Sequence, residues 1–150
     1  MARRAVTRRG VAAGGGTLVL DCEGLVKLAT GEHRVRAYLE SARERGAKVV
    51  VSAVTLTEAL RGGGPDAPVH RVLSRITVRP VSPELGRRAG ELLGASGLSG
   101  HRCAIDALVA ATALDVARPV VLLTSDPDDL NRLVAEPTRP KAQRVAVVPV

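Results

Sequence analysis

The 150-residue chain contains no phenylalanine and no tryptophan, and Tyr38 is its only aromatic residue. Its core must therefore pack on Val, Leu, Ala and Ile. The same lack excludes an RNA surface built on base stacking, as in RRM and OB platforms. Long apolar runs are missing too: nothing approaches the roughly 18 consecutive residues of a membrane-spanning helix. "GVAAGGGTLVLDCEG" follows a basic start, but glycines and then Asp21 and Glu23 break it, so it makes a poor signal peptide. Cysteine is scarce. Cys22 and Cys103 lie 81 positions apart, without metal-type spacing, and fit free thiols in a reducing cytoplasm.

Apolar residues make up 45% of the chain, and its length suits a single domain with a full core. The net charge is +7, and Arg3, Arg4, Arg8 and Arg9 contribute four of those charges. Residues 1–16, Arg- and Gly-rich, read as a flexible basic leader ahead of a domain over 17–150. Such a leader is either a salt-sensitive contact for nucleic acid or an anionic surface, or simply a solvated tail.

Along the chain, apolar runs alternate with amphipathic segments. Strands are expected at 17–20, 47–53, 76–81, 119–125 and 144–150. Helices are expected from near Glu23 and at 34–46, 55–63, 67–76, 82–97, 103–117 and 126–136. Ser82 and Pro83 supply an N-cap and a first-turn proline. Residues 103–117 are apolar on nearly every face and should be buried. This alternation predicts a three-layer α/β sandwich with a mostly parallel central sheet. In such folds the working site lies beyond the carboxyl ends of the strands.

Asp21 and Asp126 each follow a strand, which makes them candidates for one crevice. Glu58 and Asp106 join them if the sheet is parallel. Each acid also has a structural reading. Asp21 suits a helix cap, Thr55 and Glu58 have capping-box spacing, and Asp126-Pro127 suits an N-cap with first-turn proline. Asp106 sits in the most apolar helix, where Arg102, four residues earlier, offers a partner. Together, four unpaired carboxylates repel unless a cation joins them. An all-oxygen, acid-rich set suits Mg²⁺ or Mn²⁺ rather than zinc. Paired ions of this kind are common machinery for phosphodiester cleavage.

These segments carry a family resemblance. "LVLDCEGLVKLATGE", "VSAVTLTEALRGG", "HRCAIDALVAATAL" and "VVLLTSDPDDL" resemble, in order and spacing, the four motifs of the PIN-domain family, and within it the VapC-like toxins of bacterial toxin–antitoxin pairs. The similarity spans about residues 17–136. It implies a PIN-like fold and a Mg²⁺- or Mn²⁺-dependent endoribonuclease. Asp21, Glu58, Asp106 and Asp126 are then the catalytic, metal-holding acids, and Thr124 is a supporting hydroxyl. It further implies an RNA substrate, a homodimer and a cognate antitoxin that inserts a peptide near the acids. The chain departs from the pattern at Glu23, where the family often has a small polar residue; a helix first-turn acid is the favoured reading. It departs again at Asp129 and Leu130, where the family often has an aromatic. Asp128 is a further, weaker metal-ligand candidate.

Lys27, Arg61, His101 and Arg102 lie near the acids in sequence and are candidate RNA contacts; solvated surface charges are the plainer reading. Cys22 alternates to the other sheet face if the first strand persists that far, and is not expected to bind metal. A haloacid-dehalogenase-type phosphatase is disfavoured because Glu23 stands where its second aspartate is needed. A receiver domain has its acids in another order. The remaining alternative is a catalytically silent PIN-like module that binds RNA or a protein partner.

Overall fold

A computed structural model describes residues 15–150. Arg3, Arg4, Arg8 and Arg9 of the expected leader lie outside the described residues. The first strand, β1 (Thr17–Leu20), is buried along its whole length. It leads through α1 (Cys22–Ala29) and α2 (His33–Glu44) to β2 (Lys48–Ser52). A short 3₁₀ turn, Ala53–Thr55, and α3 (Leu56–Ala59) follow, then α4 (Ala67–Leu73) and β3 (Thr77–Arg79). Next come α5 (Pro83–Ser96), α6 (Gly100–Leu114), β4 (Val120–Thr124), α7 (Pro127–Leu133) and β5 (Ala146–Pro149).

The five strands are all parallel, in the order β3-β2-β1-β4-β5. Alternation along β1 divides the core. Leu18 and Leu20 face α1, α2 and α4 together with Val49, Val51 and Leu123. Val19 faces α5, α6 and α7 together with Val120 and Leu122. The result is the expected three-layer sandwich, built on aliphatic side chains. Each one fully buried contributes about 1.5–3 kcal/mol.

The strand order sets the site. From β1 the chain winds outward through β2 to β3, then crosses back to β4 on the other side of β1. The switch point therefore lies between β1 and β4, where open parallel sheets leave a crevice at their carboxyl ends. The strands stay paired up to Leu20, the last residue of β1, which lies opposite Leu123, and the Asp21 amide donates to the Leu123 carbonyl at 3.1 Å.

Two expectations change here. Composition assigns Gly15 and Gly16 to the leader, yet both are fitted to the domain. Gly16 has φ +70°, and a Cβ there would lie 2.0 Å from the Pro119 carbonyl oxygen. A Cβ on Gly15 would lie 2.2 Å from the Gly46 carbonyl carbon. The helix expected at 55–63 is the four-residue α3, because Ser52 starts a 3₁₀ turn before it and Gly62 and Gly63, both at positive φ, follow it.

Candidate metal centre

Asp21 sits where β1 ends and α1 begins. It caps the helix: its Oδ1 accepts from the Gly24 amide at 2.9 Å. Burial pushes its pKa up, and bonds from the Gly24 amide, the Thr124 hydroxyl and the Ser125 amide oppose that rise. Gly24 keeps α1 close to the sheet, since a Cβ there would lie 3.2 Å from the Leu123 carbonyl oxygen. Asp21 thus caps α1 through the Gly24 amide while β4 and the turn after it reach the same carboxylate through the Thr124 hydroxyl and the Ser125 amide.

Thr124, the last residue of β4, is fully buried, and its Oγ1 accepts from the Asp126 amide at 2.9 Å. This bond turns the chain so that Asp126 precedes α7. Asp126 occupies the N-cap position, but its side chain caps nothing and is exposed. The capping box expected at Thr55 and Glu58 does not form. Thr55 already has helical angles and makes no side-chain cap; Ser52 accepts from the Val54 amide instead. The Thr55 hydroxyl is buried without a hydrogen-bond partner. Glu58 is exposed on α3.

Asp106 lies in the second turn of α6, which begins at Gly100. Its pKa is raised to about 6, first by burial and then by Asp126, Glu58, Asp129 and Asp21. Asp21, Glu58, Asp126 and Asp129 are thus all near enough to Asp106 to repel its charge. Among these acids, Asp106, Asp126 and Asp129 each offer a carboxylate oxygen within 4.8 Å of the others. Of the expected metal-holding acids, Asp21 and Glu58 stand outside that group, as does the weaker candidate Asp128, which is exposed on the first turn of α7. Asp129, which sequence reasoning passed over, stands inside it. Cys103 Sγ donates to Asp129 Oδ2 at 3.8 Å.

The strand does not persist to Cys22: it ends at Leu20, so Cys22 is the first residue of α1 and strand alternation does not apply. Its thiol lies near Glu58, and its pKa is pushed up to about 11 by burial, then by Glu58, Asp21 and Glu23.

The basic candidates have local partners or none. Lys27 pairs with Glu23 at 3.8 Å, one turn apart on α1, as suits a first-turn acid. The Arg61 guanidinium donates to the Thr57 and Leu60 carbonyls at 3.1 and 2.8 Å. His101 and Arg102 are exposed on the first turn of α6. Among the described residues no ion pair joins Arg102 to Asp106, and no lysine, arginine or histidine pairs with Asp21, Glu58, Asp126 or Asp129. A cluster of oxygen donors with no cationic side chain fits a hard divalent cation such as Mg²⁺ or Mn²⁺.

No protein-family model matches the chain, and no curated protein matches it. Solved structures do. It aligns with a chain of VapBC2 from Rickettsia felis bound to a promoter DNA fragment, at TM-score 0.64 and 18% identity, covering 89% of this chain and 98% of that one. It aligns with a chain of a toxin–antitoxin complex from Klebsiella pneumoniae at TM-score 0.56 and 21% identity, covering 75% and 88%. FitAB bound to an IR36 DNA fragment gives TM-score 0.58 and 19% identity, covering 88% and 94%.

The chain thus shares the fold of these structures. That fold is PIN-like, as the four sequence motifs imply. No helix among the described residues is long and apolar enough to cross a membrane.

Proposed function

We propose that the chain is a metal-dependent endoribonuclease that hydrolyses RNA phosphodiesters, acting as the toxin of a type II toxin–antitoxin pair. The observation that supports this reading best is Asp106 facing Asp126, Glu58, Asp129 and Asp21 with no ion pair to any of them among the described residues. A scaffold gains nothing from that repulsion, whereas a cation-dependent hydrolase uses it.

In this reading the four acids hold Mg²⁺ or Mn²⁺. The ion supplies charge neutralisation and Lewis acidity for phosphodiester hydrolysis. The protein's own part is positional. Thr124 fixes the turn that presents Asp126, the Gly24 amide orients Asp21, and α6 carries Asp106 in from the far side of the sheet. Lys27, Arg61, His101 and Arg102 form the basic margin offered to RNA phosphates. The RNA substrate, the cognate antitoxin, the homodimer and the cytoplasmic setting follow from the resemblance and the free thiols, and belong to the same proposal.

The test is cleavage of total cellular RNA by the purified chain with Mn²⁺, with Mg²⁺ and with EDTA, beside Asp106→Asn. The expected result is metal-dependent cutting that EDTA and the variant abolish. A folded protein that binds RNA but does not cut it with either ion supports the silent-module reading instead.

A further inference from the structure

Among the described residues, Thr17, Ser52, Thr55, Asp66, Thr112 and Thr124 are the buried polar ones, and all but one are hydrogen-bonded through their side chains. Thr17 donates to the Ala117 carbonyl and Thr112 to the Leu108 carbonyl, both at 2.8 Å. Ser52 and Thr124 accept from the Val54 and Asp126 amides, and Asp66 from those of Arg61 and Gly62. Thr55 is the exception: it is 1% exposed, and its hydroxyl has no partner. The cause is its place in the chain. A threonine on a helix satisfies its hydroxyl on a carbonyl three or four residues earlier, as Thr57 does on Val54 and Thr112 on Leu108. Three and four residues before Thr55 stand Ser52 and Val51, still in β2, where carbonyls point along the sheet to neighbouring strands.

The spare donor lies beside the acids. Thr55 has helical angles, φ −61° and ψ −28°, and stands three positions before Glu58, so the two side chains share one face of the turn. The 3₁₀ turn packs against α6, the helix that carries Asp106. Glu58 is near enough to Asp106 to repel its charge and lies beside the Cys22 thiol on α1. Yet Glu58 is exposed and stands outside the group formed by Asp106, Asp126 and Asp129. To hold an ion with them it must turn inward, and a carboxylate that leaves water needs a donor.

We propose that the Thr55 hydroxyl is that donor, a positioning residue that holds Glu58 turned toward the other acids. This inference rests on the metal-dependent reading above and deepens it. The spacing that fails to cap α3 serves instead to orient a carboxylate, as partners behind metal ligands do elsewhere. An unbonded buried hydroxyl destabilises the metal-free fold. In a purely structural role valine, with the same shape, would serve better.

The test uses the full chain, with Mn²⁺ titrated calorimetrically and melting temperatures taken without metal. Thr55→Val keeps the shape and removes the donor. It is expected to raise the metal-free melting temperature by about 2–5 °C and to weaken Mn²⁺ binding about tenfold. Thr55→Ser, which keeps the donor, should bind Mn²⁺ nearly as the parent does. In a Glu58→Ala background, Thr55→Val should cause no further loss, because the two residues act as one unit. Parental affinity in Thr55→Val, with Asp106→Asn defective, overturns the inference and leaves the metal-dependent reading standing. A lower metal-free melting temperature in Thr55→Val shows that the hydroxyl is already bonded in the metal-free fold, and overturns it as well. So does a loss of the same size in the Glu58→Ala background, which puts the action of the hydroxyl elsewhere. Parental Mn²⁺ affinity in both Asp106→Asn and Glu58→Ala removes the metal-dependent reading and this inference together.

Discussion

The loop between α3 and α4 and the crest of the sheet between β1 and β4 each hold an aspartate withdrawn from water, and the fold treats them in opposite ways. In the loop, Asp66 is only 6% exposed, yet its Oδ2 accepts from the Arg61 amide at 3.0 Å and the Gly62 amide at 2.6 Å. The carboxylate closes the "RGGGPD" turn and its charge is met. At the crest, Asp106 is less buried but faces Asp126, Glu58, Asp129 and Asp21, and nothing in the described fold meets its charge. Burial does not separate Asp66 from Asp106; unmet charge does. Asp21 stands between them, at the crest with Asp106 yet accepting from the Gly24 amide, the Thr124 hydroxyl and the Ser125 amide.

The sharpest way to break this contrast is a pair of substitutions with opposite expected signs. Asp66→Ala should destabilise the protein by about 3 kcal/mol in urea unfolding, since two amide donors to a charged acceptor lose their partner. Asp106→Asn should leave metal-free stability unchanged or raise it, since it removes a repelled charge. A loss at Asp106 matching that at Asp66 would erase the distinction.

A pH series sharpens it. The folded-state pKa of Asp106, about 6, stands above its ordinary value of 3.8. Between these values the native state holds the proton that the unfolded chain has released. The metal-free protein should therefore lose stability as pH rises from about 4 to about 6 and change little above that from this group. Asp106→Asn should flatten the slope. The smallest effect belongs to an exposed pair at the edge of the crest. Lys27→Ala, which breaks the link to Glu23, should cost about 0.4 kcal/mol in thermal or urea unfolding.

The layers of the fold were legible because apolar runs and helical spacing alternate without interruption. β4 reads as a doubly covered strand, and it is one. Asp21, Glu58, Asp106 and Asp126 were legible as candidates because each breaks a local pattern, either ending a strand or interrupting an apolar helix. The finer layout was hidden for reasons of backbone geometry. Asp128 and Asp129 are adjacent acids in one helical turn, and only the direction of α7 decides which faces α6. Cys22 was read with strand alternation, whereas the change from a period of 2 to one of 3.6 falls right at that residue. The spacing of Thr55 and Glu58 allows a capping box, but Ser52 starts the turn three residues earlier and leaves Thr55 inside it. Spacing shows that a cap is possible; it does not choose among hydroxyls.

The single aromatic has an experimental consequence. Tyr38 lies half-buried on α2, against the aliphatic cluster on that side of the sheet. With no tryptophan in the chain, near-ultraviolet absorbance and intrinsic fluorescence come from this one ring. The protein is nearly transparent where nucleic acid absorbs, so RNA and its products can be followed by absorbance with little protein background. Tyrosine emission, in turn, acts as a built-in reporter for the aliphatic cluster that α2 covers.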